Sequence, residues 1–334
     1  MSSTSVKIAY GGAVFSPSKG YTAEKTVEVL KYLSENRIKT IDTSEIYPGS
    51  EELLGEAGAV ALGFDIDTKV GAGGSLVPAT KENVIKSGEA SLSKLKTNQV
   101  DVLFIHGFDK RVPLAETLEG INELHKKGAF KRFGLSNFSA DEIEDVVRIC
   151  QEKGFVLPSV YEGNYNAVDR LIEMRIFPII RKYNMAFHAY SPIAGGFLSK
   201  TPQYIKEGGQ GRWDASTFFG KLYHGMYNKP NVLEFLEKFG KIASTQANCS
   251  QAEMAYRWMA FHSQLKGELG DKIIIGARFG PQLTEVLGAL KRGPLSDETV
   301  KEIDGLWNVV KDDPPVEHRA LIEELLKRMD MKYR

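Results

Sequence analysis

The chain has 334 residues, 42% of them hydrophobic and 26% charged, which supplies the apolar material for a sizeable core and excludes a disordered tail or linker. Its 43 basic and 43 acidic residues cancel, so it lacks the electrostatic footprint of a nucleic-acid or anionic-membrane binder, and a small neutral or weakly charged partner is expected. Cys150 and Cys249 stand about a hundred residues apart with no CxxC or Cys/His cluster, which indicates neither a disulfide framework nor a zinc site and makes a reducing compartment the default.

In chain order, β-rich runs over residues 6–10, 39–42, 65–70, 100–105, 132–135, 159–161, 186–190 and 272–275 alternate with amphipathic stretches of helical length over 23–36, 51–61, 81–95, 114–127, 140–152, 171–182, 250–262 and 280–290. Eight strands separated by helices match a (β/α)8 TIM barrel, as one domain over 1–334, better than an open doubly wound sheet. Two more helices, 297–310 and 317–329, fall outside the eight-unit pattern. Thr22, Ser50, Thr80 and Ser139 are placed to cap the helices that follow them. Residues 191–230, rich in Gly and aromatics such as Trp213, Phe218 and Tyr223, read as a long loop. A structureless loop of that length is uncommon, so a functional cover over the barrel mouth is expected. There is no basic n-region followed by an apolar h-region, and no stretch approaches eighteen uninterrupted apolar residues. The expectation is a cytoplasmic protein without a membrane segment, and no oligomer is indicated.

Four residues that together could move a proton onto a carbonyl oxygen lie near the ends of three successive strands: Asp42 with Tyr47, then Lys69, then His106. A phenol is a poor acid at neutral pH, with an unperturbed pKa of about 10. A tyrosine that must donate therefore needs a cation beside it and a carboxylate to hold that cation. Tyr47, Lys69 and Asp42 form that set, and His106 adds an uncharged donor for the same oxygen. Each lies at the C-terminal end of its strand, the face where barrel active sites occur.

The segment Asp42-Thr-Ser-Glu-Ile-Tyr47-Pro-Gly-Ser50-Glu51 resembles the Asp-Thr-Ala…Tyr…Ser-Glu segment of the aldo-keto reductases. The likeness continues through Ser91-Leu-Ser-Lys-Leu, Val100-Asp101, Ile105-His106, Gly134-Leu-Ser136-Asn137-Phe138-Ser139, Tyr165-Asn166 and Ala189-Tyr190-Ser191-Pro192-Ile-Ala-Gly-Gly196. It spans most of the chain and is nearest to the aflatoxin-aldehyde reductase branch. The resemblance implies NADPH-dependent reduction of an aldehyde or ketone, with Tyr47 as proton donor. It also implies cofactor contacts from Gly11, Gly12, Ala13, Asp42, Ser136, Asn137, Glu162, Tyr190, Ser191, Ile193, Gly195, Gly196, Gly276, Arg278, Gln282 and Glu285, and a substrate pocket formed by Phe15, Tyr47, His106, Phe108 and Trp213. Arg278, just beyond the eighth strand, is suited to an adenosine 2′-phosphate.

Two positions depart from the family pattern. Glu162 stands where most relatives carry Gln, and an ionised carboxylate only accepts hydrogen bonds where an amide also donates. Glu162 could instead pair with a neighbouring base. Val286 replaces an adenine-side Asn. Residues 71–76 begin like a dinucleotide loop but carry Leu76 where GxGxxG requires its third glycine. No HExxH, G-x-S-x-G or P-loop is present. Two other readings remain: a cofactor-binding regulatory subunit resembling potassium-channel β subunits, and a barrel lyase or hydrolase in which Lys69 forms a Schiff base.

Overall fold

The structure, a computed structural model, describes residues 6–72, 75–317, 319–321 and 324. Its strands are β1 (Lys7–Gly11), β2 (Thr40–Asp42), β3 (Asp65–Val70), β4 (Val100–Ile105), β5 (Phe130–Ser136), β6 (Pro158–Asn164), β7 (Ala186–Tyr190) and β8 (Lys272–Ile275). They close in sequence order into a barrel. The strands pair in parallel, with Gly11 opposite Asp42, Asp42 opposite Asp67, Val70 opposite Ile105, Ser136 opposite Glu162 and Tyr10 opposite Ile275. This is the expected (β/α)8 architecture.

The helices are α1 (Ala23–Glu35), α2 (Ser50–Glu56), α3 (Lys81–Leu95), α4 (Leu114–Lys126), α5 (Ala140–Lys153), α6 (Leu171–Arg175), α7 (Phe177–Lys182), α8 (Pro202–Lys206), α9 (Phe218–Tyr227), α10 (Pro230–Thr245), α11 (Gln251–Phe261), α12 (Pro281–Lys291) and α13 (Asp297–Val310). Thr22, Thr80 and Ser139 cap α1, α3 and α5 as expected, each side-chain oxygen accepting a first-turn N–H, and Glu142 completes a capping box with Ser139. Ser50 does not cap. Gly49, in a left-handed conformation, occupies that place, while the Ser50 hydroxyl donates to the Gly12 carbonyl at 2.8 Å.

Four expectations are corrected. The helix predicted over 51–61 stops at Glu56, where Gly58 takes a positive φ of 66° and Ala59 N–H turns back to the Leu54 carbonyl. The helix predicted over 171–182 is broken in two, because Pro178 fits only the first turn of a helix and α7 restarts there. Residues 191–230 are not structureless: turns of 3₁₀ helix at Ala194–Ser199 and Gly211–Trp213 accompany α8 and α9. The sixteen-residue α10 had no predicted counterpart, although Pro230 at its first turn and buried Val232, Leu233, Phe235, Leu236 and Phe239 carry a helical signature. Most of the helix predicted over 317–329 lies outside the described residues, as do Gly73 and Gly74 of the 71–76 segment.

The chain divides into two compact units. The first comprises the described residues up to Gly163 together with Arg175–Tyr190 and Lys266–Thr284, and contains the barrel. Along β3, Ile66 and Val70 share one face with Thr68, whose hydroxyl donates to Glu51 of α2 at 2.6 Å; Asp67 and Lys69 point into the barrel. Val102, Phe104 and Val160 form an apolar cluster. Phe104 packs so closely on Gly134 that a Cβ there would come within 2.3 Å of its ring. Asp67 Oδ2 lies 3.4 Å from Lys272 Nζ and 3.5 Å from His188 Nδ1, all three buried. Burial pushes the Asp67 carboxyl up to about 7 against the opposing pull of Lys272, while burial and then Lys272 hold His188 well below its usual range and so uncharged.

The second unit comprises Asn164–Met174, Ser191–Leu265 and the described residues from Glu285 onward. Its core is aromatic. Trp213, 2% exposed, lies among Phe197, Tyr223, His224 and Tyr227 at ring-centroid distances of 5.9, 5.4, 5.6 and 6.2 Å. Its indole N–H donates to the Gly195 carbonyl at 3.3 Å. Gly195 and Gly196 have φ of 64° and 99°, conformations that favour glycine.

Candidate active site

The strand ends of the first unit gather the predicted tetrad. Asp42 is the last residue of β2, Lys69 is the penultimate residue of β3, and His106 follows β4 directly. Lys69 is fully buried and donates to Asp42 Oδ1 at 2.5 Å and to the Thr43 carbonyl at 2.9 Å. Its ammonium lies 5.6 Å from the centre of the Tyr47 ring and 5.7 Å from that of Phe104. Burial alone would push this ammonium down, but Asp42, then Glu162 and Tyr47, outweigh it and hold Lys69 above the ordinary lysine range. The site therefore keeps a permanent positive charge beside the tyrosine.

Tyr47 is half-buried in the loop after β2, and that loop is pinned on both sides. Thr43 and Ser50 share a hydrogen bond of 2.7 Å, and Ser50 reaches the Gly12 carbonyl. Glu45 accepts from the Gly71 N–H at 2.9 Å and from Ser87. A side chain held by such a frame loses little further freedom on reaction. Gly12 belongs to the same frame, since a Cβ there would meet the Asp42 carbonyl oxygen at 2.9 Å, which gives this glycine a packing role.

His106 faces Tyr47, ring centroids 6.1 Å apart. Its Nδ1 is 3.1 Å from the Ser44 hydroxyl oxygen, which also accepts from the Ile46 N–H at 3.3 Å. With that oxygen already accepting, the Ser44 proton is suited to Nδ1, and the imidazole then carries its own proton on Nε2 as a donor. Ser44 was missed in the sequence, where nothing but its place two residues beyond Asp42 marks it. Replacing it, Ser44→Ala, is expected to lower kcat for the carbonyl reduction that the family resemblance implies by roughly two- to tenfold, the value of a neutral hydrogen bond of about 0.5–1.5 kcal/mol. Steady-state kinetics at fixed pH check this, and an unchanged kcat would remove Ser44 from the tautomer argument.

The predicted cofactor residues divide between the two units. Ser136 ends β5, and Asn137 follows with a φ of 60° that turns its amide back, donating to the His106 carbonyl at 3.1 Å and to Ser136 Oγ at 2.9 Å. Tyr190, ending β7, donates to Asn137 Oδ1 at 2.8 Å. One polar chain thus joins β4, β5 and β7. Glu162 on β6 is buried, with Oε1 3.3 Å from Lys69 Nζ, so the pairing with a base considered for it is present. Gly11 is buried at the end of β1, Ala13 is half-buried beyond it, and Gly276 and Arg278 are exposed after β8. Arg278 N–H donates to Gln282 Oε1 at 2.9 Å. Ser191, Ile193, Gly195, Gly196 and Glu285 belong to the second unit. Val286 is buried in α12, which accounts for an apolar side chain there.

Of the predicted substrate-pocket residues, Tyr47 and His106 face each other and Phe108 is half-buried, its ring 5.7 Å from Phe138. Phe15 is fully buried between Tyr10 and Tyr21, at 5.7 and 5.6 Å. Trp213 is enclosed in the second unit. Both rings are core aromatics here, because their large apolar surfaces are covered by other aromatic rings.

The aldo/keto reductase family model matches residues 7–308. The chain belongs to this family. As an aldo/keto reductase it is an oxidoreductase, and its reaction class is carbonyl reduction. It is 38% identical over 307 residues to Oxidoreductase sirO of Leptosphaeria maculans, covering 91% of each chain. It is 32% identical over 308 residues to Aflatoxin B1 aldehyde reductase member 2 of Rattus norvegicus, covering 88% of this chain and 83% of that one. With Aldo-keto reductase family 7 member A3 of Homo sapiens the identity is 34% over 308 residues, 88% of this chain and 92% of the other. No helix among the described residues of this aldo/keto reductase is long and apolar enough to cross a membrane.

Proposed function

We propose that this aldo/keto reductase reduces aldehydes or ketones to alcohols with NADPH, using Tyr47 as the proton donor. The observation that carries the reading is the Lys69 ammonium, clamped by Asp42 at 2.5 Å and lying 5.6 Å from the Tyr47 ring. The residues fit a nicotinamide dinucleotide. Ser136 and Asn137 at the end of β5, and Tyr190 at the end of β7 hydrogen-bonded to Asn137, offer amide- and ring-binding groups. Beyond β8 the surface is open: a Cβ added at Gly276 would meet nothing within 4 Å, and the exposed Arg278 side chain enters no ion pair among the described residues. When bound, the reduced nicotinamide supplies hydride to the carbonyl carbon.

The protein's part is the proton. His106 donates a hydrogen bond to the carbonyl oxygen through Nε2 and sets its direction. As charge builds on that oxygen, the Tyr47 O–H bond breaks and the alcohol O–H bond forms. The phenolate left behind is stabilised by Lys69, and Asp42 keeps Lys69 in place. Tyr47 is then reprotonated from water. A Schiff-base role for Lys69 runs against its setting, since a nucleophilic amine must be neutral and the buried Asp42 contact at 2.5 Å holds this one protonated.

The test is a panel of aldehydes, dicarbonyls and ketones assayed for oxidation of NADPH and NADH side by side. Absence of turnover across the panel would sink the reading. Arg278 supports the choice of NADPH, because a guanidinium makes a charge-assisted contact to a 2′-phosphate that NADH lacks. With such contacts worth about 1.5–3 kcal/mol, Arg278→Ala should weaken NADPH binding by about 10- to 100-fold and scarcely alter NADH. Fluorescence titration of both cofactors measures the difference, and equal losses would make Arg278 a loop support.

A further inference from the structure

The pocket around Lys69 holds one more carboxyl group than its cation can neutralise. Lys69 is flanked by Asp42 Oδ1 at 2.5 Å and Glu162 Oε1 at 3.3 Å, with both carboxyl side chains at least nine-tenths buried. Held on the same ammonium nitrogen, the Glu162 and Asp42 carboxyl groups are close neighbours. Glu162 Oε2 is buried without a hydrogen-bond donor. Two ionised carboxylates in that position would repel in a poorly solvated pocket, and one would keep an orphaned oxygen. A proton on the pair removes both problems, because a protonated carboxyl donates as well as accepts.

We infer that Glu162 and Asp42 share one proton at neutral pH, so that Glu162 acts as a neutral hydrogen-bonding group and as a positioning residue that leaves the Lys69 charge available to Tyr47. The inference rests on the reductase reading of the same site. Burial first, and then Asp42, push the Glu162 carboxyl well above the usual carboxylate range, with Lys69 pulling the other way. The other titratable and charged groups around it are Tyr47 after β2, His106 after β4, and Tyr190 on β7. Asp67, two residues before Lys69 on β3, interacts electrostatically with Asp42 and is grouped with Lys272 and His188, His188 being held uncharged by burial. On β5, Ser136 stands opposite Glu162, while Arg132 is engaged by Asp101 at 2.6 Å.

The functional consequence is a pH limb set by Glu162. With the pair singly protonated, one carboxylate balances Lys69. Loss of the shared proton places a second negative charge beside the ammonium and disfavours the phenolate that Tyr47 must leave behind, so carbonyl reduction slows as pH rises. Glu162→Gln keeps a neutral group of the same shape that cannot titrate in this range.

Two measurements test the inference. Infrared spectroscopy of protein with 13C-labelled glutamate should show, at neutral pH, the label-shifted C=O stretch of a protonated carboxylic acid that vanishes in Glu162→Gln. Glu51→Gln controls for Glu51, which burial also raises. If Glu162→Gln does not fold, Glu162→Asp serves instead, because it removes the labelled band while keeping a carboxyl. In single-turnover reduction across pH, the alkaline limb should move upward by about one pH unit or more in Glu162→Gln. Only carboxylate bands from Glu162 at neutral pH would overturn the shared proton, and coincident limbs would overturn its coupling to Tyr47. A protonated Glu162 band in a wild-type protein that reduces no carbonyl at any pH would support the shared proton and refute the reductase reading.

Discussion

Tyr47→Phe is expected to lower kcat for carbonyl reduction by about 10²–10⁴-fold, the usual contribution of a positioned general acid. Cofactor binding should stay close to wild type, because the substitution removes one oxygen from a half-buried ring and leaves intact the groups proposed to hold the nicotinamide. The backbone should also be unaffected. The loop is fixed by the Thr43–Ser50 hydrogen bond and by Glu45 on the Gly71 N–H, none of which uses the phenol oxygen. Stopped-flow reduction with NADPH, combined with fluorescence titration of the cofactor, separates loss of the proton from loss of binding. Turnover within a few-fold of wild type would mean that another group delivers the proton. A matching loss of NADPH affinity would instead make Tyr47 a structural part of the cofactor site.

The barrel was legible because strand and helix signals alternate with regular punctuation. Four of the predicted strands, 65–70, 100–105, 186–190 and 272–275, coincide with β3, β4, β7 and β8, and three of the four proposed caps accept the first-turn N–H they were expected to accept. The tetrad was legible for a related reason: each member lies within a few residues of a strand's C-terminal end, and parallel register brings such ends together. The failures also have local causes. Glycine and aromatic density between 191 and 230 suggested a long loop, whereas Trp213 and its neighbours use that density to build a core. Phe15, expected with its loop to line the substrate pocket, is covered by Tyr10 and Tyr21. Alternation along β3 cannot say which face meets the helices and which meets the barrel interior. The buried set of Asp67, His188 and Lys272, and the Glu162 contact with Lys69, arise between strands distant in sequence, where no spacing rule reaches.

Lys69→Met should be as damaging to turnover as Tyr47→Phe, by about 10²–10⁴-fold, and should also destabilise the fold. The methionine fills much of the same volume, but Asp42 loses a hydrogen bond of 2.5 Å and Glu162 loses the cation 3.3 Å away. Removing one partner of a buried ion pair typically costs about 3–5 kcal/mol, because the remaining charge stays desolvated. The pH dependence fixes the cause. Burial and Asp42 already raise Glu162 in the folded protein, and Lys69 is the group that opposes that rise. A carboxyl raised on folding contributes stability that is fully present below its unfolded pKa and is lost as pH rises through its folded pKa. Without Lys69 the folded values climb further, so the deficit in Tm relative to wild type should narrow as the medium is acidified from about pH 8 towards about pH 5, where protonation neutralises the stranded carboxylates. Calorimetry of both proteins over that range measures the gap. A deficit that stays constant would assign the loss to packing around Phe104 and the Tyr47 ring, and wild-type turnover in Lys69→Met would separate the lysine from the chemistry altogether.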